Sequence, residues 1–221
     1  MPARAHATAA MVILAGALLL PLRHAAAQQA PPDGPVAYAI VRNDTQIGTH
    51  RLVFRREGDQ LIVDVNVNVQ VRVLGITAYR GTHTMRETWR GGRLVALDSS
   101  GNDNGTPYTV QVREADGGLV AESGGRRVRF PADAVPLDVW NPAQLQREVL
   151  IDTTEAAARR PSVRDLGERS FTVRGVSVTA RGSYLDATSE YQRSLWFDAS
   201  GRLVHLEMHG RDGSLVEYRL R

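Results

Sequence analysis

Residues 61–73, LIVDVNVNVQVRV, constrain the fold more than any other stretch of the chain. Leu61, Val63, Val65, Val67, Val69, Val71 and Val73 alternate strictly with Ile62, Asp64, Asn66, Asn68, Gln70 and Arg72. Side chains on an extended backbone point to opposite faces with period two, so this pattern makes a strand with one dry face. At the usual rise the segment spans about 43 Å. Strands of that length belong to antiparallel sheets that curl, and a curled sheet makes a barrel or half-barrel.

Turn chemistry divides the rest of the chain at short spacing. Glu57-Gly58-Asp59, Asn104-Gly105, Asp116-Gly117-Gly118, Gly124-Gly125, Asp198-Ala199-Ser200-Gly201 and Gly210-Arg211-Asp212-Gly213 each separate two apolar-alternating runs. These are hairpin signals, and they predict a meander of about ten or eleven strands. The expected architecture is all-β: one curled antiparallel domain over residues 36–221. Residues 140–160 break the pattern. Asn141 followed by Pro142 is a good N-cap and first-turn pair, which predicts one short helix near 141–149, over a mouth of the barrel or against its open face.

The first residues read as an export signal. Arg4 supplies charge, Ala9 to Leu20 is an uninterrupted apolar run, Pro21 ends it, and Ala25-Ala26-Ala27 suits a signal peptidase. Cleavage is expected between Ala27 and Gln28. The apolar run is about 12 residues where a membrane span needs roughly 20, so no stable membrane insertion is expected after cleavage. Gln28 to Pro35 is polar and Pro-rich, a disordered tether. The expected location is the periplasm.

Composition sharpens this. Cys is absent, so there is neither an acceptor for a bacterial lipid anchor nor a disulfide, and the core must hold the fold alone. The isoelectric point of about 9.7 suggests a basic protein. Every one of the 27 basic side chains is arginine, however, and Arg4 and Arg23 leave with the signal. That leaves 25 basic against 24 acidic side chains, a net charge of +1, and no electrostatic case for nucleic acid.

Motifs for chemistry are few. There is no Cys nucleophile, G-x-S-x-G elbow, P-loop or dinucleotide fingerprint, so no catalytic residue and no cofactor is assigned. His205, Glu207 and His209 share a strand face, but the two histidines stand roughly 13 Å apart and cannot both ligate one ion. They read as a solvated polar face, and no metal site is expected. Tyr79, His83, Met85, Glu87 and Trp89 share one face of the strand over Thr77–Arg90. An aromatic, a histidine and a carboxylate there would line a polar spot inside an apolar cavity, and His83 with Glu87 is the minimum kit for acid-base work. The alternative is that both point outward into water. Trp140 and Trp196 are the other large anchors, read first as packing residues and second as ligand contacts.

Several stretches carry a family resemblance. YAIVRNDTQIGTHR (Tyr38 to Arg51), HTMRETWRGGRL (His83 to Leu94), WNPA (Trp140 to Ala143), LIDT (Leu150 to Thr153) and LWFDASGRLV (Leu195 to Val204) occur in that order. Together they resemble a bacterial family of exported proteins, domain of unknown function 6134, over nearly all of the chain after the signal. The family tends to a Thr-Gly pair after Asp152-Thr153, where this chain has Thr154-Glu155, so the turn there is expected to differ. The resemblance implies a curled antiparallel sheet reminiscent of lipoprotein carriers and assigns no activity. The expected function is a periplasmic binding or chaperone-like module holding a hydrophobic ligand or partner segment. Tyr79, His83, Glu87, Trp140 and Trp196 are its candidate contacts, and the expected partners are a hydrophobic small molecule or an envelope component. The rival readings are a barrel isomerase or cyclase using His83 and Glu87, and a structural envelope protein.

Overall fold

In the computed structural model, which describes residues 34–210 and 212–221, the alternating valine segment is the centre of a long hairpin. The signal segment, its cleavage position at Ala27 and Gln28, and the tether up to residue 33 lie outside the described residues. Gly34 and Pro35, expected to belong to that tether, instead open the first strand.

The first half of the chain is a run of hairpins: β1 (Gly34–Arg42), β2 (Thr45–Glu57), β3 (Gln60–Val73), β4 (Ile76–Arg90), β5 (Arg93–Asp103), β6 (Thr106–Ala115), β7 (Gly118–Ser123) and β8 (Arg126–Phe130). The last part adds β12 (Ser162–Val173), β13 (Val176–Asp186), β14 (Gln192–Asp198), β15 (Leu203–His209) and β16 (Leu215–Leu220). All join one 13-stranded antiparallel sheet in the order β12-β13-β14-β15-β16-β1-β2-β3-β4-β5-β6-β7-β8. The C-terminal strand docks on the first, with Tyr38 opposite Leu220 and Ile40 opposite Tyr218. The sheet is not closed; β12 and β8 are its two edges. It is a half-barrel.

Between β8 and β12 the chain enters the concave side. Here β9 (Val135–Pro136), β10 (Leu150–Ile151) and β11 (Ala158–Arg159) form a small second sheet. Val135, Leu137, Val139, Trp140, Leu150, Ile151 and Ala156 are buried against Phe54, Val63, Leu97, Val112 and Leu195 of the main sheet. The helix expected near 141–149 is a single 3₁₀ turn, Pro142–Gln146. Asn141 caps it as expected, its side chain accepting from the Ala143 amide at 2.9 Å. The turn stops because Leu150 and Ile151 are drawn into β-pairing with Val135 and Pro136, and the chain is extended from Arg147.

A second, smaller core lies on the opposite face of the sheet. On a flat sheet β12 and β15 would stand about 14 Å apart. Yet the Phe171 ring stacks on His205 at 4.7 Å and meets Trp196 edge-on at 5.6 Å. The β12–β13 end of the sheet therefore rolls back over its own outer face and buries Trp196, Ala180 and Val204.

Candidate functional site

The inward face of β4 carries Gly81, His83, Met85, Glu87 and Trp89, and the sheet pairing extends each into a row across the concavity. One row runs Tyr38, His50, Val67, His83, Gly101, Tyr108. Four residues deeper, Phe54, Val63, Glu87, Leu97 and Val112 form another. These rows divide the interior into a dry floor and a polar upper chamber.

In the floor, Glu87 is fully buried and its Oε2 accepts from two indoles, Trp89 Nε1 at 2.7 Å and Trp140 Nε1 at 3.0 Å. Asp138, also buried, accepts the Trp140 and Asn141 amides at 3.0 and 3.1 Å through Oδ1. The remaining oxygens, Glu87 Oε1 and Asp138 Oδ2, have no donor around them. A proton held on Glu87 supplies that donor. Burial, then the Asp138 charge, raises Glu87 well above the usual carboxylate range. Burial pushes Asp138 up to about 7. Trp140 completes the floor by edge contacts with Phe54 and Trp89 at 5.4 and 5.6 Å. This carboxyl pair fastens the inner segment to the sheet.

The upper chamber is built from seven polar or aromatic side chains. His50 lies between the rings of Tyr38 and Tyr218, at 6.1 and 5.7 Å. His83 Nδ1 meets the Tyr108 hydroxyl at 2.6 Å. Arg193, opposite Met208 and Leu185, places its guanidinium 5.2 Å from the Tyr191 ring centre. Burial lowers His50 to about 3, with the charges of His83 and Arg193 adding to the effect, and lowers His83 to about 4. Both imidazoles are therefore neutral at ordinary pH. The two nitrogens of His50 and Nε of Arg193 are buried with no hydrogen-bond partner. Val67 in this row, and Val69, Val71 and Tyr79 above it, face the same side but stay half-exposed.

The outer face holds two other features. A groove of 720 Å³ runs past Arg51, Asp64, Arg86 and Gln111, but its acids are paired, Asp64 with Arg55 and Arg86 and Asp98 with Arg113. On β15 and β16, His205 Nε2 lies 3.1 Å from Glu207 and 3.4 Å from Glu217. Both acids also meet arginines, Arg169 at 2.9 Å and Arg219 at 2.5 Å. His205 is thus buried beneath Phe171 rather than solvated as expected, while His209 is exposed.

The chain matches, over residues 38–221, the family described as Domain of unknown function (DUF6134). It belongs to that family. No curated protein is similar enough to match. Among solved structures, a beta-barrel-like protein of domain of unknown function DUF1849 from Brucella abortus is similar with a TM-score of 0.60 at 8% identity, over 85% of this chain and 94% of that one. At that identity the likeness shows the fold alone. The hypothetical lipoprotein YmcC from Escherichia coli (TM-score 0.32, 11% identity, 85% and 86% covered) and a DUF1089 family protein from Pseudomonas aeruginosa (0.35, 12%, 79% and 89%) are too loosely similar to argue from.

Within this DUF6134 chain the candidates read from sequence divide three ways. Tyr79 and His83 line the upper chamber, and Glu87 and Trp140 build the floor. Trp196 lies on the other face, packed under Phe171. His83 and Glu87 both point inward, but they are four residues apart on one strand, about 13 Å, with Met85 between them. The structure does not bring them together as an acid-base pair. His50, Tyr108, Asp138 and Arg193 were not anticipated. For His50 the signal was parity, since it alternates in phase with Leu52 and Phe54 on β2.

Proposed function

We propose that this chain is an exported, periplasmic binding module that holds a hydrophobic ligand or apolar partner segment in the upper half of its concave face. The observation that carries the reading is the uneven filling of that face. Below the His50–His83 row, the inner segment fills the concavity and the inward side chains are buried. Val67 in that row, and Val69, Val71, Tyr79 and Met208 beyond it, point inward and remain half-exposed. A stripe of inward apolar side chains left in partial contact with water is a surface that gains free energy by being covered. The N-terminal signal features support export, and no helix among the described residues is long and apolar enough to cross a membrane.

Native mass spectrometry and lipid extraction of the natively purified protein test the reading. A co-purifying apolar mass, or saturable binding of an apolar fluorescent dye that a bulky Val69→Trp change weakens, is the expected result. Protein that is consistently empty and ignores apolar dyes rejects it.

A further inference from the structure

Two groups in the upper chamber have no reason to be there in a purely apolar pocket. Arg193 is buried on the concave face; its guanidinium lies over the Tyr191 ring, yet its Nε has no hydrogen-bond partner and no carboxylate forms an ion pair with it among the described residues. Burying an unpaired charge costs far more than burying a pair, so a native site that keeps one has another partner for it. The nearby acids are already committed. Asp138 Oδ1 accepts two backbone amides in the floor. Asp152 is held by Arg159 at 2.7 Å, by the Thr154 hydroxyl at 2.7 Å and by the Thr154 and Glu155 amides. His50 is likewise buried with both ring nitrogens unsatisfied, although a neutral imidazole always carries one N–H. Arg193 and His50 are close enough for the arginine charge to act on the imidazole.

We propose that Arg193 and His50, flanked by the His83–Tyr108 pair and Tyr191, bind the anionic head of a single-tailed amphiphile whose tail lies along Val67, Val69 and Val71. This deepens the binding reading above and rests on it. A planar guanidinium fork is suited to a carboxylate or a phosphate, which accept two parallel N–H bonds. The tail has a path upward. From the His50–Val67 pair to the lip of the β3–β4 hairpin the inward face is valine at every second position, over about 20 Å. At the lip, Val73, Leu74 and Ile76 are 52%, 98% and 74% exposed. The polar end is therefore the deep one and the apolar end the rim, which orients the ligand head inward.

Titration of the full-length exported chain with dodecanoate, dodecyl phosphate and dodecanol, by calorimetry or tryptophan fluorescence, tests this. Dodecanoate or dodecyl phosphate should bind at least tenfold more tightly than dodecanol, and whichever leads identifies the head. Arg193→Met should erase that preference without destabilising the fold, since it replaces an unpaired charge with an apolar side chain of similar length. His50→Phe, which keeps the ring and deletes its nitrogens, should reduce the preference severalfold and serves if the Met variant fails to fold. Equal binding of all three amphiphiles, unchanged in both variants, overturns the anionic head and leaves the hydrophobic site standing. Binding of none overturns both. Inorganic phosphate binding as tightly as dodecyl phosphate overturns the assigned tail path.

Discussion

Trp140 Nε1 donates to Glu87 Oε2 at 3.0 Å, and this bond ties the inner segment to the middle of the sheet. Trp89 shares the same oxygen. Glu87→Gln retains an acceptor for the indoles, whereas Glu87→Ala leaves two buried N–H groups orphaned, each worth about 1–3 kcal/mol. Urea unfolding should rank Glu87→Ala below Glu87→Gln by more than about 2 kcal/mol. Trp140→Ala should lose about 3–5 kcal/mol through the cavity it opens. Equal stability of the two Glu87 variants refutes the anchoring role.

Buried acids and buried histidines give opposite pH dependences. Glu87 and Asp138 have folded pKa values above their unfolded ones, so the folded state holds protons that the unfolded chain has released, and stability falls as pH rises through that window. His50 and His83 have folded values below 6.5, so the unfolded chain takes up protons first and stability falls as pH drops from about 6.5. The two pairs oppose each other between about pH 4.5 and 6.5 and give a near plateau there. Above it the histidines have finished titrating, and stability should decline by up to about 1.4 kcal/mol per pH unit for each acid still ionising. Asp138→Asn should flatten the first part of the decline, near pH 7. Urea midpoints from pH 5 to 9 provide the check, and a decline that survives both Asp138→Asn and Glu87→Gln contradicts the assignment.

The half-barrel was legible because its strands are wet on one side. Val63 and Val65 are buried while Asn66 and Asn68 are not, and that difference is written as period two in the sequence. Residues 131–160 had no such signature. The segment runs inside the concavity, where Trp140 and Ile151 find apolar neighbours whatever their phase, so the broken pattern over 140–160 pointed to a piece at a mouth or open face but not to its path through the interior. The site was half legible for a related reason. Parity placed His83 and Glu87 on one face of β4, but which row meets which depends on cross-strand register. Arginine and aspartate are read as surface residues by default, which hid Arg193 and Asp138. Trp196 was assigned correctly to the face opposite Leu195, but the rolled sheet end that covers it depends on tertiary coiling.

Gly101 stands between His83 and Tyr108 on the inner face, and a Cβ there would collide with the Thr82 carbonyl and the Tyr108 hydroxyl. Gly101→Ala should therefore cost about 1–3 kcal/mol by overpacking. It should also part the His83–Tyr108 pair. The NMR titration of His83 should move upward from about 4 as water enters. A stable variant with an unchanged His83 titration rejects the close fit.

Phe171 holds the rolled end of the sheet by stacking on His205 and meeting Trp196, with the Arg169 guanidinium 4.9 Å over its ring. Phe171→Ala removes these contacts and should lose about 2–3 kcal/mol, toward the low end for an aromatic truncation because the ring is only half-buried. Burial is the main force lowering His205, so its titration should rise toward the ordinary histidine value when the cover is removed. Amides of β12 and β13 should exchange faster while those of β3 and β4 do not. Uniform exchange across the sheet would show that the rolled end is not an independent unit.

Leu74, like Arg174 in the β12–β13 turn, breaks a local rule that the β5–β6 and β6–β7 hairpins obey. Its φ is 50°, in the left-handed region, and Gly75 follows at 82°, the backbone of a two-residue turn that favours Asn-Gly. At the same position of the β5–β6 and β6–β7 turns stand Asn104 and Asp116, which tolerate that conformation. A leucine 98% exposed at such a position gains nothing from packing and carries strain of about 1–2 kcal/mol. Leu74→Asn should therefore raise stability by up to about 1 kcal/mol in urea unfolding. If the lip contacts the tail of a bound amphiphile, the same change should weaken dodecanoate binding severalfold. Increased stability with unaltered dodecanoate affinity would assign Leu74 to the turn alone and end the bound tail below the lip, at Val71.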